Sequence, residues 1–279
     1  MLSRALASTL LAAVLAAPLG AQSASADQRL VVPLSDPSRP ARLEVGLVMG
    51  SVRVVAGKAG EVVVVAGGRE DDDEPKHSDR EPGADRAGMR RISGGGLGLE
   101  VEEKDNRVEV GTDSWASPVD LVIEVPAASS VELSTVNAGE LSVEGLSGEL
   151  VLHNTNGDVS VRDVSGPVDA TTVNGDVSVR FSTAMAKAPM AFSTLNGDVD
   201  VTLPAGASVD VLLRSDNGDI YTDFDVELRR SPAKVEENRK KGSYRVSVGQ
   251  ELRGRIGGGG PELFLKTFNG DVLLRRAGG

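Results

Sequence analysis

The sequence contains no cysteine, and only 3% of its residues are aromatic. Without cysteine the chain can form no disulfide, no thiolate metal site and no thiol nucleophile, so burial and backbone pairing must supply its stability. One Trp, two Tyr and five Phe are too few for a bulky aromatic core. Valine, leucine and glycine dominate instead, and these residues suit thin, closely stacked sheets.

A long apolar run is also lacking, except at the N-terminus, where residues 1–26 have the pattern of an export signal. Arg4 precedes an apolar run from Leu6 to Ala17, and small residues at 24–26 form a cleavage site. The run is shorter than the roughly 20 apolar residues that span a bilayer. We therefore predict export to the periplasm, the cell surface or the medium, with no membrane insertion after the signal is removed.

Basic residues are fewer than acidic ones, and the whole chain has a net charge of −11. This balance argues against nucleic acid and anionic membranes as partners. Histidine is scarce too: His77 and His153 lie far apart and have no second ligand at motif spacing. Neither a zinc site nor a Ser-His-Asp triad is indicated, and we expect no cofactor.

What the sequence has is a repeat with a nine-residue period. Its segments begin at Gly139, Gly148, Gly157, Gly166 and Gly175, and polar and apolar residues alternate within each. A period of two predicts strands with one buried face, and stacked repeats of this length predict a solenoid. The predicted inward set is Leu141, Val143, Leu146, Leu150, Leu152, Thr155, Val159, Val161, Val164, Val168, Ala170, Val173, Val177 and Val179.

A second period is marked by the triplet Asn-Gly-Asp. Its first two copies are 18 residues apart, which predicts coils of about 18 residues, each made of strand, corner, strand and Asn-Gly-Asp corner. Asn and Gly tolerate positive φ, so we interpret the triplets as structural corners. The corner residues are Asn156, Gly157, Asp158, Asn174, Gly175, Asp176, Asn196, Gly197, Asp198, Asn217, Gly218, Asp219, Asn269, Gly270 and Asp271.

The domain organisation follows from these patterns. Residues 27–41 form an N-terminal extension, and residues 42–279 form a single β-strand-repeat domain whose N-terminal part is less regular. Residues 69–91 are charged and almost without apolar side chains, which predicts a loop, and residues 229–243 form a basic excursion. The closing segment, 254–276, is expected to add a final strand pair at the end of the stack.

The segment "VDLVIEVP" (119–126), the serial Asn-Gly-Asp-Val corners and the terminal "IGGGGPELFLKTFNGDVLL" together resemble the putative-adhesin family of bacterial β-strand-repeat proteins, a domain of unknown function. The resemblance covers roughly residues 40–279. It implies an envelope-associated, β-solenoid-like domain and supplies no catalytic residues to carry over. The loop at 69–91 and the excursion at 229–243 depart from the family pattern.

Two sharper hypotheses concern the repeated carboxylates. Nonapeptide repeats bind Ca²⁺ with two glycines and an aspartate per unit, whereas each unit here has one glycine, and Asp158 and Asp176 alone cannot complete a coordination shell. Stacked carboxylates could also cleave polysaccharides, but a catalytic pair needs two different environments and the five corners are alike. Both hypotheses are weaker than the structural one.

We therefore predict a non-enzymatic, exported β-solenoid that serves as a scaffold or an adhesin-like binding module of the cell envelope. Its outward rows of Ser, Thr, Glu and Arg would contact a glycan or an envelope protein, and the protein would be a monomer. The alternative is an envelope sensing or regulatory domain that acts through a protein partner. A polysaccharide-active enzyme is a distant third possibility.

Overall fold

The computed structural model describes residues 28–68, 99–112, 118–137, 139–182, 184–229, 236–240, 243–247 and 250–278. No helix in this part of the chain has the length and apolarity needed to cross a membrane. The predicted export signal (1–26) and charged loop (69–91) lie outside these residues.

Every regular element in the described ranges is a β-strand. In chain order the strands are β1 Gln28–Pro33, β2 Arg42–Met49, β3 Val52–Gly57, β4 Glu61–Gly68, β5 Leu99–Lys104, β6 Arg107–Thr112, β7 Val119–Pro126, β8 Ser130–Asn137, β9 Leu141–Glu144, β10 Leu150–Asn154, β11 Val159–Val164, β12 Val168–Thr171, β13 Val177–Phe181, β14 Met190–Ser193, β15 Val199–Leu203, β16 Val209–Asn217, β17 Ile220–Thr222, β18 Glu227–Arg229, β19 Glu236–Lys240, β20 Ser243–Ser247, β21 Gln250–Ile256, β22 Glu262–Asn269 and β23 Val272–Arg276.

The strands form two large sheets and one small one. Sheet A has ten strands in the order β1-β4-β7-β3-β9-β11-β13-β15-β23-β17. Sheet B has eleven, in the order β18-β21-β16-β22-β14-β12-β10-β8-β2-β6-β5. The third sheet is the antiparallel pair β19 and β20; β19 lies within the predicted basic excursion (229–243), and β20 begins at its last residue.

From β6 to β18 consecutive strands alternate between the large sheets, so one strand of each makes a coil. The repeat coils pair in parallel and in register, with Leu150 opposite Val168 in sheet B and Val159 opposite Val177 in sheet A. The prediction of an all-β, β-solenoid-like fold is confirmed. The coils run in the spatial order β6/β7, β2/β3, β8/β9, β10/β11, β12/β13, β14/β15, β22/β23 and β16/β17.

This order departs from chain order at both ends. The coil β22/β23 lies between β14/β15 and β16/β17, so the expectation that the C-terminal strand pair ends the stack was wrong. At the other end, β2/β3 lies between β6/β7 and β8/β9. Antiparallel strands then cover the outermost coils: β4 and β5 at one end and, in sheet B alone, β21 at the other, where β17 is the edge of sheet A. These strands cap edges that would otherwise be open to further pairing.

The core is a single cluster of mostly Val and Leu side chains between the two sheets. Of the predicted inward set, two residues are not buried: Thr155 is half-buried and Val173 is exposed. Strict alternation continues to the preceding residues, Asn154 and Thr172, which are buried instead. The difference arises because these two polar side chains make hydrogen bonds beneath the corner, as described below.

Residues 28–41, which the sequence sets apart as an extension, are integrated into the fold. Strand β1 pairs antiparallel with β4 at the edge of sheet A, and Leu34 and Ala41 are buried in the core. Asn106, itself buried, accepts a hydrogen bond from the Asp36 amide and donates to the Asp36 and Arg39 carbonyls. This contact ties the β1–β2 connection to the β5–β6 turn.

Candidate functional site

The Asn-Gly-Asp triplets form one column along an edge of the solenoid. Parallel bridges join Asn156 to Asn174, Asn174 to Asn196, and Asn196 to Asn269, and Asn217 follows beside Asn269. Four of the five glycines have φ values between 141° and 144°: Gly157, Gly175, Gly197 and Gly270. A Cβ at Gly175 would lie 2.4 Å from the Gly157 carbonyl oxygen, so this column has no room for a side chain.

Two side-chain ladders follow the column. Each Asn donates through Nδ2 to Oδ1 of the Asn in the neighbouring coil, for example Asn174 to Asn156 at 2.8 Å and Asn196 to Asn174 at 2.8 Å. The Asp carboxylates accept backbone amides: Asp158 Oδ1 accepts from the Asp176 N–H at 2.8 Å, and the same bond recurs in the following coils. The carboxylates therefore act as backbone acceptors that hold one coil to the next.

A third ladder lies beneath the first two, at the position two residues before each corner Asn. Thr194 Oγ1 donates to the Gly175 carbonyl at 2.8 Å, and Asn154 Nδ2 donates to the Gly139 carbonyl at 2.8 Å. The equivalent donors are Thr172, Thr267 and Ser215, each bonded to the corner glycine carbonyl of an adjacent coil. All five donors are buried.

A calcium site or a catalytic carboxylate pair made from the repeated Asp residues would have to lie in this column. Within the ranges that the structure describes, no group of three or more His, Cys, Asp or Glu residues could hold a metal ion. The repeated carboxylates have the same partner type in successive coils, whereas acid–base catalysis needs two carboxyls in different environments. In this geometry the carboxylates accept hydrogen bonds from backbone N–H groups of the neighbouring coil.

The outer face of sheet A presents regular rows instead. Ser142, Ser160 and Ser178 lie opposite one another on β9, β11 and β13. Two residues further along the same strands lie Glu144, Arg162 and Arg180. We call Ser142, Ser160, Ser178, Arg162 and Arg180 the serine–arginine face. Neighbouring strands are about 4.8 Å apart, so its hydroxyl and guanidinium groups recur at that spacing.

Carboxylates neutralise the arginines on either side of this face. Arg53 contacts Glu144 at 3.1 Å, and Arg275 contacts Asp200 at 3.0 Å. Arg162 and Arg180 are both exposed, and neither has a carboxylate partner among the described residues. The face therefore has at its centre two adjacent arginines that make no ion pair with a described residue, although Glu144 is the in-register neighbour of Arg162.

Two depressions on the outer face of sheet B differ in their chemistry. An apolar groove of about 510 Å³ crosses the coils from β10/β11 to β16/β17 and is lined by Val151, Ala191, Leu212 and Phe264, among others. A second depression of about 440 Å³ lies over the N-terminal coils, where Glu44, Glu100, Glu102, Glu109 and Glu132 surround two glycines. Arg42 and Arg107 bind several of these carboxylates.

The apolar groove is a feature that strict alternation did not predict. In β22, Leu263 and Leu265 point inward, while Phe264 lies on the outer face and Phe268 is 43% exposed. The signal for it is the run of three apolar residues at 263–265, which a half-buried strand does not require. Of the two histidines, His153 is exposed on the outer side of β10, and His77 lies outside the described residues.

Residues 107–251, just over half of the chain, match the family described as Toastrack DUF4097. This segment contains the repeat coils β8/β9 to β14/β15 and four of the five Asn-Gly-Asp corners. No curated protein matches the chain.

Two solved structures are similar to this chain. One is a crystal structure of a putative cell adhesion protein from Clostridium sporogenes ATCC 15579, with 12% identity, a TM-score of 0.44, and coverage of 90% of this chain and 100% of the other. The second is a putative adhesin from Bacteroides fragilis NCTC 9343, with 11% identity, a TM-score of 0.41, and coverage of 92% and 100%. These likenesses concern the fold alone.

Proposed function

The chain belongs to the Toastrack DUF4097 family, and from that premise we propose that it is an exported, non-enzymatic binding module of the bacterial cell envelope. In this proposal the solenoid is a rigid scaffold, and its outer face binds a glycan. The N-terminal pattern at 1–26 supports export. The regular outer rows support binding.

The observation that carries the proposal is the serine–arginine face. Three serines recur in register on adjacent strands, two of them with a guanidinium two residues away. Rows of hydroxyl and charged groups at a constant spacing can donate hydrogen bonds to successive hydroxyls of a repetitive ligand. The core behind the face is fully buried, so these groups are held on a rigid support at little ordering cost.

A matched pair of blocking substitutions tests this location. Ser178→Tyr places a large side chain on an exposed outward position of β13, and Ser134→Tyr does the same on β8 of the opposite sheet. Tyrosine favours strands, so both variants should fold. On a glycan array, we expect the purified wild-type protein and Ser134→Tyr to bind the same glycans and Ser178→Tyr to lose them. A wild-type protein that binds no glycan, or a Ser178→Tyr variant that binds as well as wild type, would contradict the proposal.

A further inference from the structure

We propose that Arg162 and Arg180 together bind one acidic group, a carboxylate or a phosphate, carried by an otherwise uncharged glycan. The inference rests on the proposed function and adds to it the chemical class of the ligand. Its basis is a pair of like charges that the fold places side by side and that makes no ion pair among the described residues.

The two arginines lie side by side on the same face of the sheet. They are in-register partners of the parallel pair β11 and β13, two residues beyond the partners Ser160 and Ser178. Like charges directly opposite each other on adjacent strands destabilise a sheet. The "VSVR" segment nevertheless occurs in both strands. An anion between the guanidinium groups would turn this repulsion into attraction.

The other outward arginines on the coils of sheet A are neutralised. Arg53 and Arg275 each have a carboxylate partner, at 3.1 Å and 3.0 Å. A nearby carboxylate, Asp163, lies exposed at the bulge that follows Arg162, with φ of 54°, and makes no ion pair within the described ranges. The central pair thus differs from Arg53 and Arg275 because it makes no ion pair among the described residues, not because it is more exposed.

The geometry of the pair suits an oxyanion. The guanidinium group is a planar fork that donates two parallel hydrogen bonds to a carboxylate or phosphate. Two forks on adjacent strands are about 4.8 Å apart at the backbone, close enough for both to reach one group. The hydroxyl of Ser178, exposed beside them, can donate a further hydrogen bond, whereas Ser160 is 8% exposed and offers less.

The surroundings restrict the ligand to one with sparse charge. The next residues along the arginine row are Glu144 on one side and Thr202, followed by Arg275, on the other. A continuous polyanion lying along this row would meet Glu144, and the whole chain has a net charge of −11, so dense polyanions are repelled. A hydroxyl-rich chain with an isolated acidic substituent fits both the serine row and the arginine pair.

Calorimetric titration of the purified protein tests the inference. The probes are three oligosaccharides with one backbone: a neutral one, one with a single uronic acid and one with a single phosphate ester. We expect the acidic probes to bind wild type more tightly than the neutral one, with affinity that falls as salt rises. Arg162→Gln and Arg180→Gln should each weaken acidic-probe binding roughly tenfold, the loss typical of a charge-assisted hydrogen bond. Which acidic probe binds more tightly identifies the group.

Arg275→Gln is the matched control, because it removes an arginine from the same face whose charge is already compensated by Asp200. It should change the affinity less than threefold. Thermal melts verify that the variants fold. The inference is overturned if Arg162→Gln and Arg180→Gln bind the acidic probes as wild type does, or if Arg275→Gln loses as much affinity as they do.

Inorganic phosphate separates this inference from the proposed function. If the glycan probes bind equally well to wild type and to the double variant Arg162→Gln/Arg180→Gln, the binding function stands and the anion site is rejected. If no oligosaccharide binds but phosphate raises the melting temperature of wild type and not of the double variant, the arginine pair binds anions and the glycan assignment is rejected. If neither phosphate nor any probe binds, both proposals are rejected.

Discussion

At the scale of single residues, the position two before each corner Asn is the most demanding one in the repeat. The side chain there is polar and buried, and it donates a hydrogen bond to the carbonyl of a corner glycine. That glycine cannot be replaced by a larger residue, because a Cβ there would clash with the neighbouring coil. Thr194, 5% exposed, donates to the Gly175 carbonyl at 2.8 Å. A buried carbonyl without a donor has a free-energy cost, so a hydroxyl or amide is required where the alternation alone suggests an apolar residue.

Replacing this hydroxyl by a methyl group should destabilise the protein. Thr194→Val keeps the shape of the side chain but removes the donor to Gly175, and we expect the free energy of unfolding to fall by roughly 1 to 2 kcal/mol. Urea denaturation measures the change. Thr202→Val, on the half-buried outer side of β15, is the control and should alter the free energy by less than about 0.5 kcal/mol. Equal effects of the two substitutions would mean that the buried ladder contributes no stability.

Glu103 is a second residue whose role is set by its partners. Its carboxylate accepts the Ser35 amide at 3.0 Å, the Ser35 hydroxyl at 3.0 Å and the Asn106 amide at 3.0 Å. The backbone N–H of Ser35, followed by that of Asn106 and by the Ser35 hydroxyl, holds the pKa of Glu103 below its ordinary value of 4.5. The carboxylate thus helps to fasten the β1–β2 connection to the end of the solenoid.

The lowered pKa gives a prediction for acid stability. A carboxyl whose pKa is depressed in the folded state stabilises the fold above its unfolded pKa, and this contribution is lost as the pH falls below 4.5 through the folded value. Glu103→Gln should therefore lose less stability than wild type between pH 7 and pH 3, as measured by thermal melts. Glu102→Gln, on the exposed side of the same strand, should keep the wild-type profile. A Glu103→Gln profile parallel to that of wild type would contradict the assigned role.

At the scale of elements, the important feature is that the first and last coils of the chain are not the end coils of the stack. The coil β22/β23 has parallel neighbours on both sides in both sheets. Leu265 in β22 is fully buried between Phe192 of β14 and Leu213 of β16, its in-register partners. The C-terminal segment thus has the environment of a central coil.

Substitution in this coil should therefore be as costly as in the middle of the solenoid. Leu265→Ala is expected to lower the free energy of unfolding by about 2 to 5 kcal/mol, the range for a buried leucine, and Leu152→Ala by a similar amount. Ile220→Ala, at a half-buried position of the edge strand β17, should lower the free energy of unfolding by clearly less. Chemical denaturation gives all three values. If Leu265→Ala behaves like Ile220→Ala, the last coil is weakly attached and the inserted position has no energetic consequence.

At the scale of the whole molecule, the two inserted coils make the stack depend on both ends of the chain. Simple solenoids are stabilised by neighbouring repeats and can unfold in parts. Here the core is one continuous cluster that contains residues from Leu34 to Leu274, and neither terminal region can leave without opening a gap between coils. Cooperativity should exceed that of a sequential repeat array.

Scanning calorimetry tests this expectation. We predict a single transition whose calorimetric enthalpy equals the van't Hoff enthalpy, the criterion for two-state unfolding. Scans at several heating rates serve as the control for irreversibility. Two resolved transitions, or a calorimetric enthalpy well above the van't Hoff value, would show that the coils unfold as separate units.

Much of the fold could be predicted because its determinants are local. The period of two in segments such as "GDVSVRDVS" places Val159 and Val161 inside, and the structure has both fully buried. The errors at Thr155 and Val173 arose at the corners, where strict alternation indicates the polar residues Asn154 and Thr172 instead; each of these buried side chains bonds to a carbonyl in another coil. A pattern within one strand contains no record of that partner.

Alternation of side chains and the tolerance of the corner glycines for positive φ thus determined the strands, their buried faces and the coil length from the sequence alone. The tertiary structure alone decided which coils are neighbours. Parallel strand edges present the same row of amides and carbonyls whatever their sequence. The coil that contains Asn196 could therefore pair with the coil of Asn269 or with that of Asn217 through equivalent backbone hydrogen bonds. Ion pairing also follows from that choice: Arg275 meets Asp200 because β23 lies beside β15.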